Sequence, residues 1–87
     1  MTLEDLNNVL SKIEEVVTPM LGDDCTIQDI VFRPFSVGVH GSPGYSFVLA
    51  NWVKTKVRGH CFGLEEPTVA EIKNAAGKIL DDLRAHY

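Results

Sequence analysis

Apolar residues recur at steps of three and four along the first twenty positions, which is the spacing of one face of an α-helix. Thr2 and Asp5 stand three residues apart at the start of this segment, in the positions of a capping box. Pro19 disfavours helical backbone angles at Thr18, so the pattern predicts a helix that ends near Val17. The apolar stripe consists of Leu3, Leu6, Leu10, Ile13, Val17 and Met20.

The last twenty residues carry a second helical stripe. Thr68 and Glu71 form another capping box, and Pro67 directly precedes it. Gly77 lies inside this predicted helix, where glycine costs about 1 kcal/mol relative to alanine. We therefore expect Gly77 to allow the close approach of another backbone. The stripe consists of Val69, Ile72, Ala76, Ile79 and Leu83, supported by Leu80.

The segment between the helices has the composition and the alternation of β-strands. Residues 26–32 are rich in β-forming side chains, and residues 35–40 and 45–50 alternate between apolar and polar. A final strand is predicted within residues 53–62. A turn near Lys54 and Thr55 is the alternative, and it would remove Lys54 from that strand.

A burial argument predicts how two of these strands pair. Pairing Val39 with Phe47 and Val37 with Leu49 places the large side chains on one face, whereas a slip by one residue scatters them over both. This register implies a hairpin with a three-residue loop over 42–44 and a left-handed Gly44.

Together these elements predict one domain over residues 1–87, in the α+β class. We expect two layers, with an antiparallel sheet of three to four strands and the N- and C-terminal helices packed on it, in the order α-β-β-β(-β)-α. If both helices cover one face of the sheet, the other face is bare and carries few charges. That bare face would hold Val48, Ala50 and Trp52, with Ser36 and Gly38. With one helix on each face, nothing would be exposed.

Composition limits the environment and the function of the chain. The net charge of −4 disfavours a general nucleic-acid coat, and two cysteines are too few for a secreted disulfide framework. Residues 34–53 are uncharged, but their prolines and glycines would leave backbone groups unsatisfied in lipid. The N-terminus lacks the basic start and apolar run of a signal peptide. We expect a cytoplasmic protein that makes no membrane contact.

Charge is divided between the two predicted layers. Residues 25–63 hold four basic residues and one acidic residue, while the rest of the chain holds four basic and eleven acidic residues. Lys54, Lys56 and Arg58 would project from one strand face with a spacing near that of phosphates, and Trp52 or Tyr45 could stack on a base. Lysines on an outer strand also prevent edge-to-edge association.

One helix segment resembles a nucleic-acid-binding family. Residues 73–80, with the sequence Lys-Asn-Ala-Ala-Gly-Lys-Ile-Leu, are similar to the final helix of dsRNA-binding domains, whose element order also matches. That family places basic residues at the start of this helix, where the chain has Glu65, Glu66 and Glu71. The resemblance therefore assigns no RNA-contacting residue, and we do not place the chain in that family.

No residue pattern indicates a catalytic centre, a metal or a cofactor. Cys25, Cys61, His40 and His60 lack the spacing of zinc ligands. His60 and Cys61 are adjacent on a predicted strand, so they point to opposite faces and cannot act as base and nucleophile. We expect Cys61 in the core and His60 on the surface.

The sequence thus favours a non-enzymatic protein-interaction module, such as an adaptor, inhibitor or accessory subunit. One form of this hypothesis is a homodimer that associates through the sheet. The alternative is a nucleic-acid-binding module that uses its basic strand. The residues predicted to contact a partner are Val48, Trp52, Lys54, Lys56 and Arg58.

Overall fold

The computed structural model describes residues 2–34 and 43–85, and its elements follow the predicted order of helix, strands and helix. The α+β fold is therefore confirmed, with an antiparallel sheet of three strands among the described residues. The strand predicted over 35–40 lies outside the described residues, together with Ser36 and Gly38. The elements are α1 (Leu3–Val17), a short 3-10 turn (Thr18–Met20), β1 (Cys25–Arg33), β2 (Gly44–Asn51), β3 (Lys56–Gly63) and α2 (Val69–Arg84).

Helix α1 begins and ends where the sequence predicts. The Thr2 hydroxyl accepts a hydrogen bond from the Asp5 backbone N–H at 3.1 Å, and the Asp5 carboxylate accepts one from the Thr2 N–H at 3.4 Å. Its buried residues are Val9, Ile13 and Val17, whereas Leu3 is 73% exposed. The predicted stripe is therefore wrong at Leu3, whereas Leu6, one turn later, is partly buried and packs against the core.

Helix α2 has the predicted capping box, in which Thr68 and Glu71 each accept a hydrogen bond from the other's backbone N–H. Val69, the first residue of the predicted stripe, is 45% exposed. The expected close approach at Gly77 is also wrong, because a Cβ atom added there would meet no other atom within 4 Å. The buried residues of α2 are Ile72, Ala75, Ala76, Leu80 and Leu83.

This open space yields a stability prediction. We expect Gly77→Ala to stabilise the domain by about 0.5–1 kcal/mol, because alanine restricts the unfolded chain and nothing in the structure opposes its methyl group. Thermal unfolding followed by circular dichroism should show a rise of several degrees in melting temperature. A lower melting temperature would indicate that the backbone at Gly77 needs glycine.

The strands form a sheet in the order β1-β2-β3, with β2 in the centre. Phe47 pairs with Ile30 of β1 on one side and with His60 of β3 on the other. The predicted pairing of Phe47 with Val39 is therefore wrong, because both edges of β2 are already taken; Val39 itself lies outside the described residues. Gly44 has a positive φ of 118°, as expected, but here it opens β2, where a side chain would overlap the backbone of Gly63.

Both helices pack against the same face of the sheet. Alternate residues of β2 are buried on that side, namely Tyr45, Phe47, Leu49 and Asn51. The two helices also contact each other, and both contribute to the same core. The two-layer arrangement is confirmed, and the alternative with a helix on each face is wrong. The buried apolar residues are Val9, Ile13, Val17, Leu21, Cys25, Tyr45, Phe47, Leu49, Ile72, Ala75, Ala76, Leu80 and Leu83.

The residues of β3 that face the helices are not the ones predicted: Cys61 faces away from the helices, and the basic residues lie on the helix-bearing side. Cys61 pairs with Ser46 and is exposed on the face away from the helices, so its expected place in the core is wrong. Lys56 pairs with Asn51 and Arg58 with Leu49, so both cations lie on the helix-bearing side. Long side chains tolerate this position because their charged ends reach past the edge of the core. His60 is exposed, as expected.

Candidate functional site

The sheet face opposite the helices is not covered by any described element. We call it the open face. Val48 and Ala50 of β2 are half-buried there, Val31 of β1 lies beside them, and Val57 of β3 is 54% exposed. Paired residues of adjacent strands share a face, so the pairing defines its members. They are Thr26, Asp29, Val31, Arg33, Gly44, Ser46, Val48, Ala50, Val57, Gly59 and Cys61.

Charge on the open face is confined to the outer strand β1. Asp29 is exposed beside Val48, and Arg33 donates a hydrogen bond to the Ser46 hydroxyl at 3.2 Å. The positions contributed by β2 and β3 carry no charge. Gly59 leaves room for the Val48 side chain, since a Cβ atom at Gly59 would lie 3.1 Å from Val48 Cγ2. The centre of the face is therefore apolar, as the sequence predicted for Val48 and Ala50.

Trp52 lies at the end of the sheet, in the turn between β2 and β3, and is 64% exposed. Its backbone N–H donates to the Asp24 carbonyl at 3.1 Å, and its indole N–H donates to the Asp23 carbonyl at 2.9 Å. Neighbouring Val53 is 61% exposed. These bonds hold the indole in one orientation and use its polar N–H within the chain. The exposed part of Trp52 is therefore an apolar ring at the end of the sheet.

Asn51 organises this turn from inside the protein. It is 1% exposed, and its side-chain oxygen accepts hydrogen bonds from the N–H groups of Val53 and Lys54, each at 3.0 Å. Its side-chain nitrogen donates to the Leu83 carbonyl at 3.2 Å. Asn51 therefore joins the β2–β3 turn to the end of α2. Nothing in the sequence pattern indicated this role of Asn51.

The three basic residues predicted to project from one strand face, Lys54, Lys56 and Arg58, are turned toward the end of α2. Lys54 lies in the turn, as the alternative interpretation held, and its ammonium donates to the carbonyls of Arg84 at 2.7 Å and Ala85 at 3.3 Å. Lys56 donates to the Ala85 carbonyl at 2.9 Å. The last carbonyls of a helix need partners from outside it, and α2 has no glycine cap. These lysines supply the partners, a role that the sequence interpretation missed.

Arg58, the third of these basic residues, forms an ion pair with Asp82 of α2. Its Nε atom lies 2.8 Å from an Asp82 carboxylate oxygen, and both side chains are substantially exposed, at 60% and 41%. Such a pair contributes at most about 1 kcal/mol. Arg58 therefore keeps part of its surface accessible to solvent.

A second ion pair closes the same end of the domain, and sequence reasoning missed it. The Arg84 guanidinium contacts both carboxylate oxygens of Asp24 at 2.9 Å, across 60 positions of sequence. These hydrogen bonds lower the pKa of Asp24 to about 2. No local spacing could have indicated the pair, because it forms only once α2 reaches the start of β1.

Among the described residues, Cys61 and His60 point to opposite faces of β3, and Cys25 lies in the core. Cys25, the first residue of β1, lies in the core, where burial raises the pKa of its thiol. Cys61 of β3 lies on the face of the sheet away from the helices. The His60 ring packs edge-on against Phe62 with centroids 4.8 Å apart. Within residues 2–34 and 43–85, no group of three or more histidine, cysteine, aspartate or glutamate side chains is placed to hold a metal ion. His40 lies outside these ranges.

A cleft of about 320 Å³ opens between β3 and α2. The partly buried residues Phe62 and Ile79 line it, together with the exposed residues His60, Glu71, Asn74 and Lys78. Nothing in the sequence pattern indicated it, because it depends on the distance between helix and sheet edge.

Comparison with known proteins finds no matching family, no similar curated protein and no similar solved structure. Neither of the described helices has the length and hydrophobicity of a membrane-spanning segment.

Proposed function

We propose that the domain is a non-enzymatic protein-interaction module that associates through its open face, with a second copy of the chain as partner. One observation carries the proposal: both helices cover the same side of the sheet, so Val48, Ala50 and Val57 form an apolar centre on a face that no described element covers. Apolar sheet faces of this kind are typical of interaction sites. The charges of Asp29 and Arg33 fall on the rim, where they stay hydrated.

Self-association through the strand edges is less favourable than through the face. The register of β1 shifts between Ile27 and Asp29, and such a bulge interrupts pairing with another strand. Pairing β3 with its copy would bring the row of Lys56, Arg58 and His60 beside the same row of the other chain. Like charges opposite each other in a sheet are destabilising.

The size of the open face predicts a weak dimer. Three strands and eight residues per strand give a surface of roughly 14 by 27 Å, or about 400 Å² per partner. Stable interfaces bury about 800 Å² per partner. The exposed side chains of Trp52 and Val53 would enlarge the contact if they take part. We therefore expect a monomer–dimer equilibrium at micromolar or higher concentration.

The test is Val48→Asp. A carboxylate at the centre of the contact would lose its hydration on association, so we expect the variant to be monomeric from micromolar to millimolar concentration while the wild-type chain dimerises. Sedimentation equilibrium measures both. Val57→Asp, on the outer strand β3, should have the same effect and avoids the half-buried position of Val48.

Val69→Asp is the matched control, because Val69 is 45% exposed at the start of α2, far from the open face. It should dimerise like the wild-type chain. The dimer should also persist in moderate salt, since apolar contacts hold it together. A wild-type chain that stays monomeric to millimolar concentration, or dimerises unchanged with both Val48→Asp and Val57→Asp, would refute the proposal.

The existing bonds of the basic residues argue against the nucleic-acid alternative. The ammonium groups of Lys54 and Lys56 already bond to carbonyls of α2, and Arg58 pairs with Asp82. Phosphates would have to compete with these bonds for every one of the three cations.

A further inference from the structure

The seam between β3 and α2 is closed at one end and open at the other. Near the end of α2, Lys56 bonds to the Ala85 carbonyl and Arg58 pairs with Asp82, so side chains bridge the two elements. Closer to the start of α2, the cleft of about 320 Å³ lies between the strand and the helix. This volume is at the small end of the range for ligand sites, which is about 300–1,000 Å³. An occupant of the cleft is therefore a small molecule.

The cleft has an apolar wall of fixed shape. Phe62 and Ile79 line it and pack against the hydrophobic core. The Phe62 ring stacks on the buried ring of Phe47, with centroids 5.5 Å apart, and the His60 ring meets Phe62 edge-on at 4.8 Å. These contacts hold the two rings that line the cleft in place before a ligand binds. The wall therefore suits an occupant with one apolar side chain.

The charges that line the cleft are one carboxylate and one ammonium group, those of Glu71 and Lys78 on α2. Seven residues separate them, which is about 10 Å along the helix axis. Among the described residues, neither side chain belongs to an ion pair. Glu71 caps α2 through Oε1, which accepts the Thr68 N–H at 3.2 Å, but a carboxylate has two oxygens and about four acceptor sites. The cleft is thus negative near the start of α2 and positive two turns later, with no excess of either charge.

We infer that the β3–α2 cleft binds a tripeptide with free termini and an apolar central side chain, whose ammonium group lies at Glu71 and whose carboxylate lies at Lys78. An extended chain of three residues spans about 10 Å, which matches the separation of the two charged residues along α2. A single amino acid carries both charges on one carbon atom and cannot reach both residues.

The backbone of β3 favours a peptide over other molecules with the same two charges. Cys61 borders the cleft although its side chain lies on the open face, so the strand contributes backbone groups to the lining. β3 is an outer strand of the described sheet, and an extended peptide beside such a strand gains backbone hydrogen bonds. With its ammonium group at Glu71, the peptide runs antiparallel to β3, because the start of β3 lies beside the end of α2.

The experiment titrates alanyl-leucyl-alanine into ¹⁵N-labelled protein at pH 7. Binding should shift the amide signals of residues 60–62 and 71–79. Four versions of the peptide, with each terminus free or blocked by acetylation or amidation, separate the contributions of the two charges. An exposed ion pair changes an affinity by up to about fivefold, so blocking either terminus should weaken binding about two- to fivefold and blocking both about four- to twenty-five-fold.

Two variants assign each terminus to its residue. Lys78→Gln should remove the preference for a free carboxylate and keep the preference for a free ammonium group. Glu71→Gln should do the reverse, and it preserves the helix cap, because glutamine also serves in a capping box. Lys73→Gln is the matched control, since it removes a charge from the same helix at an exposed position outside the cleft. It should keep both preferences.

Equal affinities of the four peptides, no shifts at millimolar peptide, or equal losses in Lys73→Gln and Lys78→Gln would overturn the inference. Leucine that binds as tightly as the tripeptide would overturn it in favour of an amino-acid site. The inference does not depend on self-association through the open face. Val48→Asp should therefore bind the tripeptide like the wild-type chain, whether or not the wild-type chain dimerises.

Discussion

Phe47→Ala is expected to lower the free energy of unfolding by about 3–5 kcal/mol, the largest effect of any change considered for this protein. Phe47 is 1% exposed in the middle of the central strand, and its ring stacks on Phe62. Truncation removes the ring from a core that has little capacity to collapse, since strands lie on both sides of β2. Urea denaturation followed by far-ultraviolet circular dichroism measures the change.

Val48→Ala provides the control, because it makes the same kind of truncation one residue along the same strand on the open face. We expect it to cost about 1 kcal/mol or less. A domain of this size has only about 5–15 kcal/mol of stability in total, so Phe47→Leu serves as a milder variant if Phe47→Ala does not fold. Equal losses at positions 47 and 48 would mean that both faces of the sheet are covered, and would contradict the two-layer arrangement.

The contrast between these neighbouring residues shows what alternation along a chain determines. Period two along β2 separates Phe47 from Val48 without any knowledge of the fold. It does not choose the partner strand, because Val39 and Ile30 both satisfy the same burial rule opposite Phe47. The choice depends on which strands flank β2 in the folded sheet, and that information is not local. The two helices were predictable for the opposite reason, since Thr2 and Thr68 cap them through residues only three positions away.

The difference between local and non-local information also explains why the orientation of Lys54, Lys56 and Arg58 was predicted wrongly. Alternation groups Lys56 with Arg58 correctly, but a strand with cations on one side and small residues on the other suggests that the cations face water. In the structure the lysines turn toward α2, because its final carbonyls, those of Arg84 and Ala85, need hydrogen-bond donors from outside the helix. The sequence does indicate that these carbonyls need donors, because α2 ends without a glycine. Connecting that signal to lysines some thirty positions earlier requires the tertiary fold.

Asn51→Ala is the second change with a large expected effect, about 2–4 kcal/mol of lost stability. The substitution removes the partner of the Leu83 carbonyl and of the N–H groups of Val53 and Lys54 at once. Each buried polar group left without a partner costs about 1–3 kcal/mol, and water can reach the turn groups more easily than the Leu83 carbonyl. Asn7→Ala, at an exposed position of α1, is the control and should change stability by less than about 0.5 kcal/mol.

Asn51→Asp separates the two functions of this side chain. Its carboxylate keeps the acceptor for the turn N–H groups, but it has no N–H for the Leu83 carbonyl and lies near Asp24, whose carboxylate contacts the Asn51 nitrogen at 3.4 Å. Burial and the Asp24 charge should raise the pKa of the new carboxyl, so the stability of the variant should increase as the pH falls from 7 toward 4. Asp24 keeps its charge in that range, because its own pKa is about 2. Urea denaturation at both pH values tests this, and an Asn51→Asp variant whose loss of stability relative to the wild-type chain is the same at pH 7 and pH 4 would show that the folded protein does not raise the pKa of the carboxyl at position 51.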